Sequence, residues 1–164
     1  MKPGDHPEFF RFPPPEGRSR ESSIVLTRDG RFLHEGAPVE HPGMRRAFAA
    51  WLGRHPDDGR PILNNGYDWT YLTVEGATRF VQGVLSVDGR PQLTLLDGTE
   101  LPLEPAGLSV DAEGQLWLRL PDGQLARFTP AAQLALGPWL VEQEGRVGIE
   151  VDGRFSPIPG PEPA

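Results

Sequence analysis

Six Asp-Gly pairs punctuate this 164-residue chain, and they constrain its fold more than any other feature. They fall at Asp29-Gly30, Asp58-Gly59, Asp88-Gly89, Asp97-Gly98, Asp122-Gly123 and Asp152-Gly153, with Asn65-Gly66 a further turn of the same kind. Glycine takes positive φ without a Cβ clash and aspartate tolerates it, so such pairs suit tight turns between antiparallel strands. Short apolar or alternating runs precede most of them, at 24–26, 84–87, 93–96, 116–120 and 147–151. A chain built this way reads as successive β-hairpins and not as parallel β-α-β crossovers. The 20 glycines and 19 prolines, about a quarter of the residues, argue against a helix bundle or coiled coil.

Two stretches break the strand pattern. Met44, Ala47, Phe48, Trp51 and Leu52 recur at helical spacing, with Pro42 suited to the first turn and Gly53 to the stop. A shorter helix is predicted from Thr129 as cap and Pro130 at the first position, through 131–136, to Gly137. Each helix follows a strand, an Asp-Gly turn and a short strand. Asp29 precedes Trp51 by 22 residues as Asp122 precedes Trp139 by 17, so the segments read as a duplication. The predicted fold is α+β, two similar halves of antiparallel hairpins, each with one packed helix. The expected organisation is a flexible N-terminal arm over 1–21, a first half over 22–90, a second over 91–158 and a disordered tail over 159–164. Within the proline-rich arm, Phe9, Phe10 and Phe12 could anchor it across the folded body.

Charge and composition narrow the partners. The chain carries 16 basic and 23 acidic residues, a net charge of −7, and Lys2 is its one lysine. Such an acidic balance argues against nucleic acid, whose phosphates need Lys and Arg. No segment has the length or amphipathic pattern of a membrane element, and no apolar signal core opens the chain, so a cytoplasmic protein is expected. The lack of cysteine removes thiolate chemistry, disulfides and Cys-type metal sites.

Catalytic motifs are sparse. There is no nucleophile elbow and no dinucleotide fingerprint, and a Walker loop would need a lysine beyond Lys2. His34, Glu35, Glu40 and His41 form a His-Glu-x4-Glu-His array, but Pro38 prevents one helix from carrying both histidines as a zinc pair. His34 with Glu35 or Glu40 as acid–base groups is the weakest reading. No catalytic residue, metal ligand or cofactor is assigned. The ligand-binding candidates are His34 and His41 as hydrogen-bonding groups, Arg45 and Arg46 as anion partners, and Tyr67 and Trp69 as stacking surfaces. Tyr67, Trp69 and Tyr71 alternate, and on a strand they would share one face, either packed or open to a planar ligand.

Several short stretches resemble the DUF1285 family, a domain of unknown function. They are Asp29-Gly30-Arg31-Phe32-Leu33-His34-Glu35-Gly36-Ala37-Pro38-Val39, Arg46-Ala47-Phe48-Ala49-Ala50-Trp51-Leu52, and Leu72-Thr73-Val74-Glu75-Gly76-Ala77 with Phe80-Val81. Ala126-Arg127-Phe128, Ala131-Ala132 and Leu136 also fit. The resemblance implies a duplicated α+β fold whose second half is like a pleckstrin-homology barrel. It further implies a nucleotide-like ligand held between the halves and a role in signal transduction, without catalysis. The sequence therefore points to a non-catalytic ligand-binding or regulatory protein. The alternative is a protein–protein interaction module with no small-molecule site.

Overall fold

The Asp-Gly pairs sort into distinct turns in the computed structural model, which describes residues 1–160. At Asp29-Gly30, Asp97-Gly98 and Asp122-Gly123 only the glycine has positive φ, at 88°, 90° and 87°. Around each the same two backbone bonds recur, as in Thr27 N–H to the Arg31 carbonyl and Gly30 N–H to the Thr27 carbonyl. At Asp88-Gly89 and Asp152-Gly153 both residues have positive φ, the signature of a two-residue type I′ hairpin. Glu35-Gly36 and Glu144-Gly145 adopt that geometry too, with glutamate at φ 52° in both.

The chain forms two compact units, Met1–Thr78 and Arg79–Ala164. In the first, β1 (Ile24–Leu26) and β2 (Phe32–His34) form the hairpin closed by Asp29-Gly30, and β3 (Ala37–Pro38) extends it. Helix α1 (Pro42–Trp51) follows, then an antiparallel sheet of β4 (Leu52–Arg54), β5 (Pro61–Asn64) and β6 (Trp69–Tyr71). Strand β7 (Thr73–Val74) returns to lie parallel to β1, a pairing the hairpin reading did not include. Helix α1 stops at Trp51 because Leu52 is already extended and pairs with Leu63, which places Gly53 inside β4 and not at a helix cap. Met44, on the predicted buried stripe, is 41% exposed.

Residues 1–21 are not a free arm. Two 3-10 turns, Pro3–Asp5 and Phe9–Arg11, lay them against the first unit. Gly4 N–H donates to the Gly66 carbonyl at 2.8 Å and Tyr71 N–H to the Arg20 carbonyl at 2.7 Å. Phe9 is buried with Ile62 and Trp69, and Phe10 packs beside them. Burying these rings supplies the apolar surface that a proline-rich segment by itself lacks. Phe12 stays largely exposed.

The second unit holds a six-stranded sheet in the order β10-β9-β8-β13-β12-β11. Its members are β8 (Phe80–Val87), β9 (Arg90–Leu95), β10 (Glu100–Pro102), β11 (Leu108–Val110), β12 (Leu116–Arg119) and β13 (Leu125–Phe128). All neighbours are antiparallel except β8 and β13. Helix α2 (Pro130–Ala135), capped by Thr129, leads to an antiparallel sheet of β14 (Leu140–Gln143), β15 (Arg146–Val151) and β16 (Arg154–Pro157). Val81, Leu93, Leu118, Phe128, Leu136 and Ile149 form the heart of the core.

Both units contain a hairpin followed by a helix and a three-stranded sheet, but in the second β8 to β11 come first, and in the first β7 comes last. They differ in where the parallel strand joins: beside the first hairpin strand in one, beside the second in the other. The six-stranded sheet ends at β10 and β11 without closing, so no closed barrel of the pleckstrin-homology kind forms among the described residues. The Asp88-Gly89 turn, where a boundary was expected, lies within the second unit because β8 and β9 pair across it. At the expected frayed end, the Pro159 carbonyl accepts from Val110 N–H on β11 at 3.0 Å. Residues 161–164 of that tail lie outside the described residues.

Candidate functional site

The first unit contains a cavity of about 180 Å³ lined by Ile24 of β1, Phe48 and Trp51 of α1, Leu63 of β5, and Asn65, Asp68, Trp69 and Thr70 around β6. The helix supplies its aromatic wall because Phe48 and Trp51 are one turn apart on the same face, their ring centroids 5.9 Å apart. The polar rim comes from the β5–β6 turn. Asn65 Oδ1 accepts the N–H groups of Tyr67 and Asp68, both at 2.8 Å, which leaves the Asn65 amide NH2 without a partner among the described residues. Asp68 Oδ1 receives the Trp69 N–H and the Arg20 guanidinium, leaving Oδ2 free of them. Desolvation pushes the Asp68 carboxyl up, and the Arg20 and Trp69 hydrogen bonds outweigh it, so the group is held below its ordinary value.

Trp69 is 6% exposed, and its indole N–H is buried without an acceptor. Its ring is enclosed: His55 meets it edge-on at 4.9 Å, Tyr71 at 5.0 Å, and the Arg20 guanidinium lies 4.5 Å over it. An open stacking platform at Trp69 is therefore excluded; the residue lines the cavity, and its indole N–H is sealed within the first unit without an acceptor. Tyr67 lies in the turn, 63% exposed, with Lys2 Nζ 5.9 Å from its ring. The alternation that would join Tyr67 to Trp69 and Tyr71 fails because β6 begins only at Trp69.

The remaining candidates do not line the cavity. His34 ends β2, exposed. His41 is the N-cap of α1: its Nδ1 accepts from Gly43 N–H at 3.1 Å and Met44 N–H at 3.3 Å, which commits that ring nitrogen to the helix start. Arg45 and Arg46 sit exposed in the first turns of α1.

Sequence reasoning missed the polar cluster beside Trp69. His55, 6% exposed, stands among Phe10, Trp69 and Tyr71, accepts Asp57 N–H on Nδ1 at 3.1 Å, and places Nε2 against the Phe10 carbonyl. The Tyr71 hydroxyl donates to Asp58 at 2.7 Å, which raises the phenol and lowers the carboxyl. Arg60 covers the Tyr71 ring at 3.7 Å and forks onto Glu21 with two bonds of 2.9 Å. The one sequence signal was His55-Pro56-Asp57-Asp58-Gly59, a histidine at a turn between two apolar runs.

No family model matches the sequence, and no curated protein does. Among solved structures the chain is similar to a DUF1285 family protein from Silicibacter pomeroyi DSS-3, with 20% identity and a TM-score of 0.56 over 90% of this chain and 84% of that one. This chain has the DUF1285 fold. A DUF1285 family protein from Shewanella baltica OS155 also aligns, at 15% identity and a TM-score of 0.49, over 73% of this chain and 94% of its own. The DUF1285 fold agrees with the family resemblance carried by the short motifs around Asp29-Gly30 and Trp51. Among the described residues, no helix is long and apolar enough to cross a membrane.

Proposed function

We propose that this protein is a DUF1285 family member that binds a nucleotide-like small molecule without catalysis and serves a regulatory role in signal transduction. Its ligand's planar heteroaromatic group occupies the first-unit cavity. The observation that carries this reading is the buried Trp69 indole N–H, which lacks an acceptor and belongs to a residue that lines the cavity. A buried donor left unpaired is destabilising, and a ligand acceptor would satisfy it. The cavity's volume also suits a ring: a cavity of about 150 Å³ holds one benzene-sized molecule. The Asn65 amide and Asp68 carboxylate add a donor and an acceptor, the pattern a nucleobase edge complements.

Thermal unfolding with a concentrated panel of nucleosides and nucleotides tests it. A native-state ligand raises the midpoint by mass action, and Trp69→Phe, which removes the N–H and keeps an aromatic ring, should abolish the rise. No rise across the panel, or an equal rise in the variant, overturns the assignment.

A second reading, the protein-interaction module, draws support from Leu85 and Val87, 61% and 50% exposed near the β8–β9 turn. Replacing both with serine separates the readings: partner binding would be lost while any nucleoside response stays.

A further inference from the structure

We propose that Arg127 in the second unit is the receptor for a small oxyanion, a phosphate or carboxylate group. The register puts it in the middle of the six-stranded sheet: it faces Trp117 on β12 and, across the parallel pairing, Phe80 on β8. Its neighbours Ala126 and Phe128 belong to the core, so alternation sends Arg127 to the opposite face of β13. There it is 8% exposed, the one arginine among the described residues that is buried.

Among the described residues no hydrogen-bonded partner meets that charge. Nε is sealed from solvent without an acceptor, and among the described residues no hydrogen bond or ion pair engages the guanidinium. Other arginines behave differently: Arg11, Arg20, Arg60, Arg79 and Arg90 each reach a carboxylate. The carboxylate that Arg127 influences is Asp111, and its oxygens are already committed. Oδ2 accepts the Trp117 indole N–H at 2.9 Å, while Oδ1 accepts the N–H groups of Glu113 at 2.9 Å and Gln115 at 3.0 Å. Trp117 foremost, and Arg127 at longer range, hold Asp111 below its ordinary value. Asp111 therefore stays ionised and turned toward the loop, and it does not close on Arg127.

A guanidinium cannot escape burial by losing its proton, so one that is largely desolvated and unpaired is costly. The Arg127 Nη groups, which are not sealed as Nε is, remain open to an incoming anion. Its planar fork accepts two oxygens of one carboxylate or phosphate in parallel bonds. Arg119 lies two residues beyond Trp117 on β12, on the same face, exposed and bonded to the Gly123 carbonyl at 2.8 Å. Its position on β12 is diagonal to Arg127, a backbone spacing of about 7–8 Å in a sheet. The inference is independent of the first-unit cavity.

The test uses the full chain with inorganic phosphate and, separately, acetate, each against chloride at constant ionic strength. Either anion should raise the unfolding midpoint saturably, by roughly 2–5 °C at tenfold over Kd. A response to phosphate alone or acetate alone identifies the class. Arg127→Met should lose the response and, without anion, be at least as stable as the parent. Trp69→Phe should keep it. If Arg127→Met does not fold, the side-chain Nε–H resonance of Arg127 in the parent decides: a saturable shift with anion supports the site. An unmoved resonance, no midpoint response to either anion, or an undiminished response in Arg127→Met overturns it.

Discussion

His55 Nε2 lies 3.3 Å from the carbonyl oxygen of Phe10, a contact across 45 residues of sequence. With Nδ1 already accepting Asp57 N–H, the ring is committed to the tautomer that donates from Nε2, so the N-terminal segment is bonded to the turn before β5. Phe9, 4% exposed, adds the apolar half of the anchor. Phe9→Ala should cost about 3 kcal/mol, the low end for a buried phenylalanine. Urea unfolding measures it, and a loss below about 0.5 kcal/mol would return this segment to the status of a loose arm.

His41 is bound by the start of α1, and its substitution should read as a lost cap. His41→Ala should destabilise by about 1 kcal/mol, comparable with Thr129→Ala at α2, whose side chain accepts Ala132 N–H at 3.2 Å. Nucleoside binding at the first-unit cavity should not change. Unaltered stability with lost binding would restore His41 as a ligand contact.

Gly148 in β15 has no room for a methyl group. A Cβ there would stand 2.4 Å from the Phe155 ring and 2.5 Å from the Ser156 carbonyl, both on the paired strand β16. Gly148→Ala should therefore lower stability by about 1–3 kcal/mol or prevent folding. Gly145→Ala provides a contrast, since there the obstacle is φ 76° and no neighbouring atom crowds the site. A Gly148→Ala protein as stable as the parent would mean that β16 packs differently.

Acid should weaken the fold through a defined set of carboxylates. Hydrogen bonds from Arg60, Arg11, Tyr71 and Trp117 lower Glu21, Asp57, Asp58 and Asp111, respectively. Asp122 is lowered by the Gln124 N–H and then by Arg79. Each folded value lies below its unfolded one, so each contribution is complete above the unfolded pKa near ~4 and is lost as pH falls through the folded value. Urea midpoints should change little from these groups between about pH 5 and 7 and fall below about pH 4. Salt should flatten the fall, because these pairs are exposed. A midpoint at pH 3 equal to that at pH 7 would contradict the assignments.

Local chemistry was readable where one residue type dictates one geometry. The Asp-Gly pairs announced their hairpins, and Thr129-Pro130 announced the start of α2. The limits of this reading appear at Leu52, where strand pairing with Leu63 overrode the helical stripe, and at Tyr67, where a turn replaced the expected strand. Trp69 was named from its aromatic type, but its role changed with its surroundings. Arg20, His55 and Tyr71 cover its ring, and its N–H is left buried without an acceptor.

By itself the sequence determined the strand-and-turn alphabet, the two capped helices, the acidic surface and the absence of thiol chemistry, because these depend on near neighbours or on composition. Only tertiary structure decided which groups are buried without partners. Arg127 and Trp69 look like ordinary residues in a string; one is buried at the centre of a six-stranded sheet and the other beneath the packed N-terminal segment. Desolvation depends on what lies far along the chain and close in space, and it is what turns a common side chain into a site.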